Sequence, residues 1–188
     1  MPLLKTPVCD FGKKAKSFKL KSINNELITL NDIKGEKATL IMFICNHCPY
    51  VKAIIKDLAK SCNDLKKDGI NSVAIMSNDV ANYPEDSFEN MVSFAKSNNF
   101  EELNYLIDET QEIAKKYGAV CTPDFFGYNK DLKLQYRGRF KELKDLKPVD
   151  DKVSDLKLAM KMIAKTQKGP SEQIPSMGCS IKWFNQCL

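Results

Sequence analysis

Apolar residues run unbroken from Ala38 to Ile44 and then recur at Val51, Ile54, Ile55, Leu58, Cys62 and Leu65. The first run lacks the alternation of a half-exposed strand, so it predicts a central parallel strand covered on both faces. The second, with spacings of three and four, predicts a helix with one buried stripe, on which Cys62 is a small core residue. Pro49 belongs in or near the first turn, because deeper in the helix its ring would remove a hydrogen bond and clash with the preceding turn. Upstream, Phe18 and Leu20 alternate with lysines, Asn24-Asn25 marks a turn, and Leu27 to Leu30 returns, the pattern of an N-terminal hairpin. Asn31 to Lys37 reads as a connection pivoting on Gly35.

Asn71 to Met76 predicts a second buried strand. Pro84-Glu85-Asp86 reads as a helix start with acids in its first turn, followed by Phe88, Met91, Val92 and Ala95 on the inner face. A short strand is expected over Leu103 to Ile107. Asp108-Glu109-Thr110-Gln111 has a capping-box-like spacing ahead of an apolar face of Ile113, Ala114 and Tyr117, and Gly118 suits the C-terminal cap. Strands around Phe125 to Tyr128 and Leu132 to Tyr136 flank a turn at Asn129-Lys130-Asp131. A last helix is expected from Asp150, with Val153, Leu156, Met160 and Ile163 facing inward, ending before Gly169-Pro170.

This order predicts an α/β domain with a mixed central sheet flanked by helices. It divides into an N-terminal arm with few structural cues (1–16), the domain (17–169) and a C-terminal tail (170–188). Ile181, Trp183 and Phe184 are too apolar to hang free, so the tail is expected to pack back on the domain. Right-handed crossovers place the end of the first buried strand at the carboxyl edge of the sheet, where sites usually form.

Charge and composition narrow the classes. The 29 basic and 24 acidic residues, net +5, are spread along all 188 positions, which describes a solvated surface. Without aromatic–basic interleaving, no nucleic-acid partner is expected. Residues 1–18 contain no apolar signal core and no run approaches a membrane span, so the expected location is cytoplasmic, without membrane association. Seven cysteines, an odd number without secretory features, predict mostly reduced thiols with one special pair.

That pair is Cys45 and Cys48, in Cys45-Asn46-His47-Cys48-Pro49, where the buried strand hands over to the helix. Unpaired N–H groups and the positive end of the helix dipole would stabilise a thiolate at Cys45, and Cys48 can close a small disulfide ring on it. His47 is the only histidine. A cationic imidazole there would stabilise the reduced form and make the disulfide more oxidising; alternatively it points into solvent.

The chain resembles the thioredoxin superfamily, and within it the alkyl hydroperoxide reductase and thiol-specific antioxidant (AhpC/TSA) group. The resemblance rests on Cys45-Asn46-His47-Cys48-Pro49, Thr122-Pro123, and Gly178-Cys179-Ser180-Ile181-Lys182-Trp183, and covers roughly residues 15 to 185. It implies a thioredoxin-like fold in which Pro123 is the cis-proline facing the Cys pair. Thr122, Pro123, Asn46, His47 and Pro49 would support the site, with Cys121 beside it. Ile44 and Asn46-His47 stand where thioredoxins proper have Trp before the pair and Gly-Pro within it.

The reaction expected is thiol–disulfide exchange: Cys45 attacks a substrate disulfide and the more buried Cys48 resolves the mixed disulfide. Partners would be a disulfide-containing protein or small thiol and a separate electron donor or acceptor, with no cofactor and no metal. Cys121 and Cys179 are auxiliary thiol candidates, able to relay oxidation or simply buried; Cys9 and Cys187 are incidental. A thiol-dependent peroxidase is the alternative, although peroxiredoxins carry Pro-x-x-x-Thr-x-x-Cys and the matching positions before Cys45 are Ala38 and Met42. Metal binding through Cys-x-His-Cys is less favoured, because no second, distant histidine exists. An interaction module with a vestigial pair would leave Cys45 with an ordinary thiol pKa.

Overall fold

The computed structural model describes residues 3–100, 103–149 and 153–184. Its elements in order are β1 (Leu3–Lys5), β2 (Lys19–Ser22), β3 (Leu27–Thr29), β4 (Ala38–Phe43), α1 (Pro49–Lys67) and β5 (Ile70–Met76). A 3-10 turn (Pro84–Asp86) precedes α2 (Phe88–Ser97), β6 (Asn104–Ile107), α3 (Glu112–Tyr117), β7 (Cys121–Thr122), β8 (Asp124–Asn129) and β9 (Leu134–Tyr136). The small ribbon β10 (Leu143–Lys144) and β11 (Lys147–Pro148) leads to α4 (Asp155–Thr166) and β12 (Met177–Ser180).

Seven strands form the main sheet in the order β3-β2-β6-β5-β4-β8-β9. β4 runs parallel to β5 and antiparallel to β8, and β5 runs parallel to β6, so this is the mixed sheet of a thioredoxin-like fold. The unbroken apolar run of β4 follows from its place between two strands and between two cores. Leu40 and Met42 pack with α1 and α4 on one face, and Ile41 and Phe43 pack with α3 on the other. Gly35 is required where the chain turns into β4, because a Cβ there would lie 2.0 Å from the Ala38 carbonyl oxygen.

Helix α1 buries the whole predicted stripe, from Val51 through Leu65, and Pro49 is its first residue. Cys62 lies within the core, and burial pushes its thiol up to about 12, the behaviour of an inert packing residue.

Several local expectations are corrected. Pro84–Asp86 is a separate 3-10 turn, and Ser87 caps α2 by accepting from the Asn90 N–H. Val92 and Val153 are exposed, since α2 and α4 turn Met91 and Ala95, and Leu156, Ala159, Met160 and Ile163, inward instead. The capping-box spacing before α3 is not used: Gln111 takes a left-handed conformation, and Asp108 accepts the Ile113 and Ala114 N–H groups at 3.3 and 2.9 Å. Residues 3–5, read as part of an arm without structure, form β1 and pair with β12. The expected helix start at Asp150, and Cys187, lie outside the described residues.

Two packing features position the site. The Thr122–Pro123 peptide is cis. Immediately after it, fully buried Asp124 receives the Arg137 guanidinium at 2.9 and 3.3 Å and the Val120 N–H at 3.2 Å, while Arg137 also donates to the Gly118 carbonyl. The turn between β7 and β8 is thus tied to β9's far end. Breaking a buried pair leaves the partner charge uncompensated, so Asp124→Ala is expected to lower unfolding stability by about 3–5 kcal/mol in urea titration. A loss under ~1 kcal/mol would contradict this role.

Candidate active site

Cys48 is the N-cap of α1, and Cys45 stands three residues earlier, just beyond the end of β4. Both are reduced and buried, at 0% and 1% exposure, so the expected difference in burial is absent. Across from them lies the cis turn. Cys45 Sγ is 3.3 Å from Thr122 Oγ1, and Cys48 Sγ donates to the Thr122 carbonyl at 3.1 Å. The β4–α1 junction and the β7–β8 junction therefore meet at the two sulphurs, bringing Cys45, Cys48, Thr122 and Pro123 together.

The two thiols are driven apart in acidity. The Cys45 thiol hydrogen-bonds to Cys48, which together with the backbone N–H groups of Cys179 and Val51 outweighs burial and lowers Cys48 to about 5. Cys45 is raised in turn, first by burial, then by giving that hydrogen bond and by the nearby Asp86 carboxylate. The more acidic thiol of the pair is thus Cys48, next to the helix N-terminus, and not Cys45 as the sequence suggested. The physical reason is that α1 begins one residue after Cys48, so Cys45 lies outside the first turn where the unpaired N–H groups are.

His47 is not a free cation beside the thiols. Its Nδ1 donates to Asp86 Oδ2 at 2.7 Å and lies 3.9 Å from Cys45 Sγ, and its ring stacks on Tyr83 at 5.6 Å. The imidazole's short contact is thus with Asp86, and its contact with the Cys45 thiol is the longer one. His47 Nε2 is buried without a hydrogen-bond partner. Asn46 turns away from the sulphurs, accepting from the Tyr105 hydroxyl at 2.9 Å and donating to the Glu85 carbonyl at 3.1 Å.

Asp86 is the residue that sequence reasoning missed. It is fully buried and takes four N–H donors: Asn46 N at 2.8 Å, His47 N at 3.3 Å, His47 Nδ1 at 2.7 Å and Asn78 Nδ2 at 2.8 Å. Burial raises its pKa, but the hydrogen bonds from His47 and Asn78 prevail and the carboxyl is held below its ordinary value. In sequence it looks like a helix-start acid, and only the 3-10 turn swings it inward. Cys45, His47 and Asp86 place one ligand atom each within 4.8 Å of one another. A cation there would have to displace hydrogen bonds that Asp86 and His47 already make.

The tail completes the enclosure. β12 pairs antiparallel with β7, Cys179 opposite Thr122 and Ser180 opposite Cys121, and with β1 on its other side. Past the strand, Lys182 is pinned by Asn78, Asp79 and Gln111: its N–H donates to Asn78 Oδ1, and its carbonyl accepts from Asp79 N and Gln111 Nε2, each at 2.8–2.9 Å. Cys179 touches Cys48, whereas Cys121 points its thiol at the Pro123 carbonyl at 3.7 Å and is raised strongly by burial. Beside the cis turn, Tyr50, Ile54, Pro123, Phe140, Leu143 and Met177 line a mainly apolar cavity of about 240 Å³.

The profile of the AhpC/TSA family matches residues 11–137. An uncharacterised conserved protein of Geobacillus kaustophilus is 40% identical across 100% of this chain and 99% of its own, with a TM-score of 0.92. A hypothetical protein of Sinorhizobium meliloti 1021 is 36% identical across 97% and 99%, with a TM-score of 0.88. The thioredoxin domain of a thiol-disulfide oxidoreductase from Bacteroides vulgatus shares the fold, at 18% identity, 68% and 86% coverage and a TM-score of 0.57. No curated protein matches. With its Cys pair set against a cis turn on a mixed sheet, the chain belongs to the AhpC/TSA family of thioredoxin-like redox proteins.

Proposed function

We propose that this protein is a thiol–disulfide oxidoreductase whose redox pair is Cys45–Cys48, acting on a disulfide-containing protein or small-molecule disulfide, with a separate thiol as electron donor. The observation that carries the proposal is the pair of reduced sulphurs set against the cis turn, Cys45 Sγ 3.3 Å from the Thr122 hydroxyl and Cys48 Sγ 3.1 Å from its carbonyl. The first attack is assigned to Cys45, because Cys48 Sγ is held against the Thr122 carbonyl and beside Cys45 and Cys179, the position of a resolving thiol. Cys45 passes its proton to Cys48 along their hydrogen bond and attacks one substrate sulphur, and the other substrate sulphur leaves as a thiolate. Cys48 then gives up that proton, attacks Cys45 Sγ and releases the second product thiol, leaving a Cys45–Cys48 disulfide.

Thiolate absorbance at 240 nm tests the acidity of Cys48. One transition is expected near pH 5 in the reduced protein, and Cys48→Ser should abolish it, because burial holds the remaining Cys45 thiol above the ordinary value of 9.0. The sign follows from the lowered pKa: the thiolate stabilises the reduced protein above about pH 5 and that gain is lost as pH falls through 5. The pH slope of the pair's reduction potential should therefore halve above about pH 5, because only one proton then accompanies two electrons. A single transition near 9 would instead mean a vestigial pair.

The family match favours one second reading, a thiol peroxidase. Against it, the positions seven and three before Cys45, where peroxiredoxins carry Pro and Thr, are Ala38 and Met42 of β4. Peroxide consumption with a dithiol donor distinguishes the two: turnover on peroxide exceeding that on a disulfide substrate would favour the peroxidase.

A further inference from the structure

Three sulphurs meet at this site, and Cys48 is the middle one: it contacts the Cys45 thiol on one side and the Cys179 thiol on the other. Cys179 is brought there by strand pairing. Its partner in β7 is Thr122, the residue whose carbonyl receives Cys48 Sγ. The fit leaves no slack, since a Cβ on the neighbouring Gly178 would lie 2.0 Å from that same Thr122 oxygen. All three residues are buried, Cys179 at 6% exposure against 1% and 0% for Cys45 and Cys48.

Resting on the assignment of Cys45–Cys48 as the redox pair, we propose that Cys179 is a third redox thiol that takes the disulfide over from Cys45 by attack on Cys48. In this step Cys179 loses its proton and its sulphur bonds to Cys48 Sγ. The Cys45–Cys48 bond breaks and Cys45 leaves as a thiolate, which takes up a proton, so nothing is oxidised or reduced overall. Cys45 is thereby freed for a second substrate while the disulfide passes to a Cys48–Cys179 bridge on β12, where an external thiol reduces it.

The electrostatics make this step conditional on oxidation. In the reduced protein Cys179 is raised to about 11, first by burial and then by the charge and hydrogen bond of Cys48. Those two Cys48 contributions vanish once Cys48 is in a disulfide, whereas the Lys182 ammonium, which favours a Cys179 thiolate, remains. Oxidation of the pair thus activates the third thiol.

Peptide mapping of the full-length protein tests this. After equilibration with oxidised glutathione, acid quenching and alkylation, trypsin leaves Cys45 and Cys48 in one peptide, 38–52, and Cys179 in another, 169–182. The expected result is a mixture of peptide 38–52 carrying an internal disulfide and a 38–52/169–182 cross-link, and in Cys45→Ser the cross-link as the main oxidised species. If Cys45→Ser gives only a glutathione adduct on Cys48 with Cys179 free, the third-thiol proposal fails while the Cys45–Cys48 assignment stands. If the native protein forms no internal disulfide in peptide 38–52 and no cross-link, the redox pair itself fails. As a second readout, Cys179→Ser should keep the Cys45–Cys48 disulfide but slow its reduction by dithiothreitol at least tenfold; an unchanged rate would overturn the relay.

Discussion

Serine at Cys45 or at Cys48 is expected to cut disulfide-reductase turnover about a thousandfold, a loss on the order of 4 kcal/mol of transition-state stabilisation. The two variants should fail differently. Without Cys48, the mixed disulfide formed at Cys45 has no resolving sulphur, so Cys48→Ser should accumulate a stable substrate adduct at Cys45 visible by intact mass. Without Cys45, substrate must approach Cys48, which is enclosed by the Thr122 carbonyl and by Cys179, so any adduct there should form slowly. An adduct that accumulates on Cys48 faster than on Cys45 would reverse the assigned roles. Residual turnover above roughly a tenth of the native rate in both variants would remove the pair from the mechanism.

Asp86→Ala is expected to be the most damaging change that touches no cysteine. It would strip the acceptor from four buried N–H donors on Asn46, His47 and Asn78, and leave the His47 Nδ1–H unpaired in a site already containing an orphaned Nε2. The expected cost is about 3–5 kcal/mol of unfolding stability. Because the Asp86 carboxyl is held below its ordinary 3.8 in the folded protein, its contribution is complete above that pH and is lost as pH falls through the folded value. Urea titrations from pH 6 down to pH 2 should therefore show a shallower acid loss in Asp86→Ala than in the native protein. Parallel curves would mean that the carboxylate is not the anchor of the 45–48 loop.

Both expectations turn on the same arrangement. The loop carrying Asn46 and His47 has its backbone N–H groups and one side chain gathered by a single carboxylate from a turn 39–40 residues later in the chain. That anchoring gives His47 a partner other than the thiols: its ring is held 2.7 Å from the Asp86 carboxylate and 3.9 Å from Cys45 Sγ. Cys48 is lowered first by the hydrogen bond from Cys45 and then by the backbone N–H groups of Cys179 and Val51.

The strands and helices that build the site were legible in the sequence because their signals are local. An unbroken apolar run can only be a strand buried on both faces, as β4 is, and spacings of three and four can only bury one stripe of α1. A proline tolerated only in a first turn marked where α1 begins. Cys-x-x-Cys at that junction, with Thr-Pro downstream, carried the resemblance from which the meeting of two distant segments at one site was expected, and the structure brings them together. What the sequence could not decide is which residues turn inward where periodicity is weak. Val92 and Val153 are apolar yet exposed, because short helices choose their inner face by what they pack against. Asp86 has the sequence context of a helix-start acid and is instead the buried centre of the site. The position of Cys179 is likewise a matter of tertiary register: strand pairing sets it opposite Thr122, and a shift of one residue would turn its thiol away from Cys48. Sequence alone determined the α/β order of the elements, since periodicity and spacing are local, and its motifs carried the family resemblance that singles out Cys45 and Cys48 as the candidate pair. Which thiol is the more acidic, what anchors the loop and which third sulphur touches the pair were decided by tertiary structure, because each depends on contacts between segments tens of residues apart.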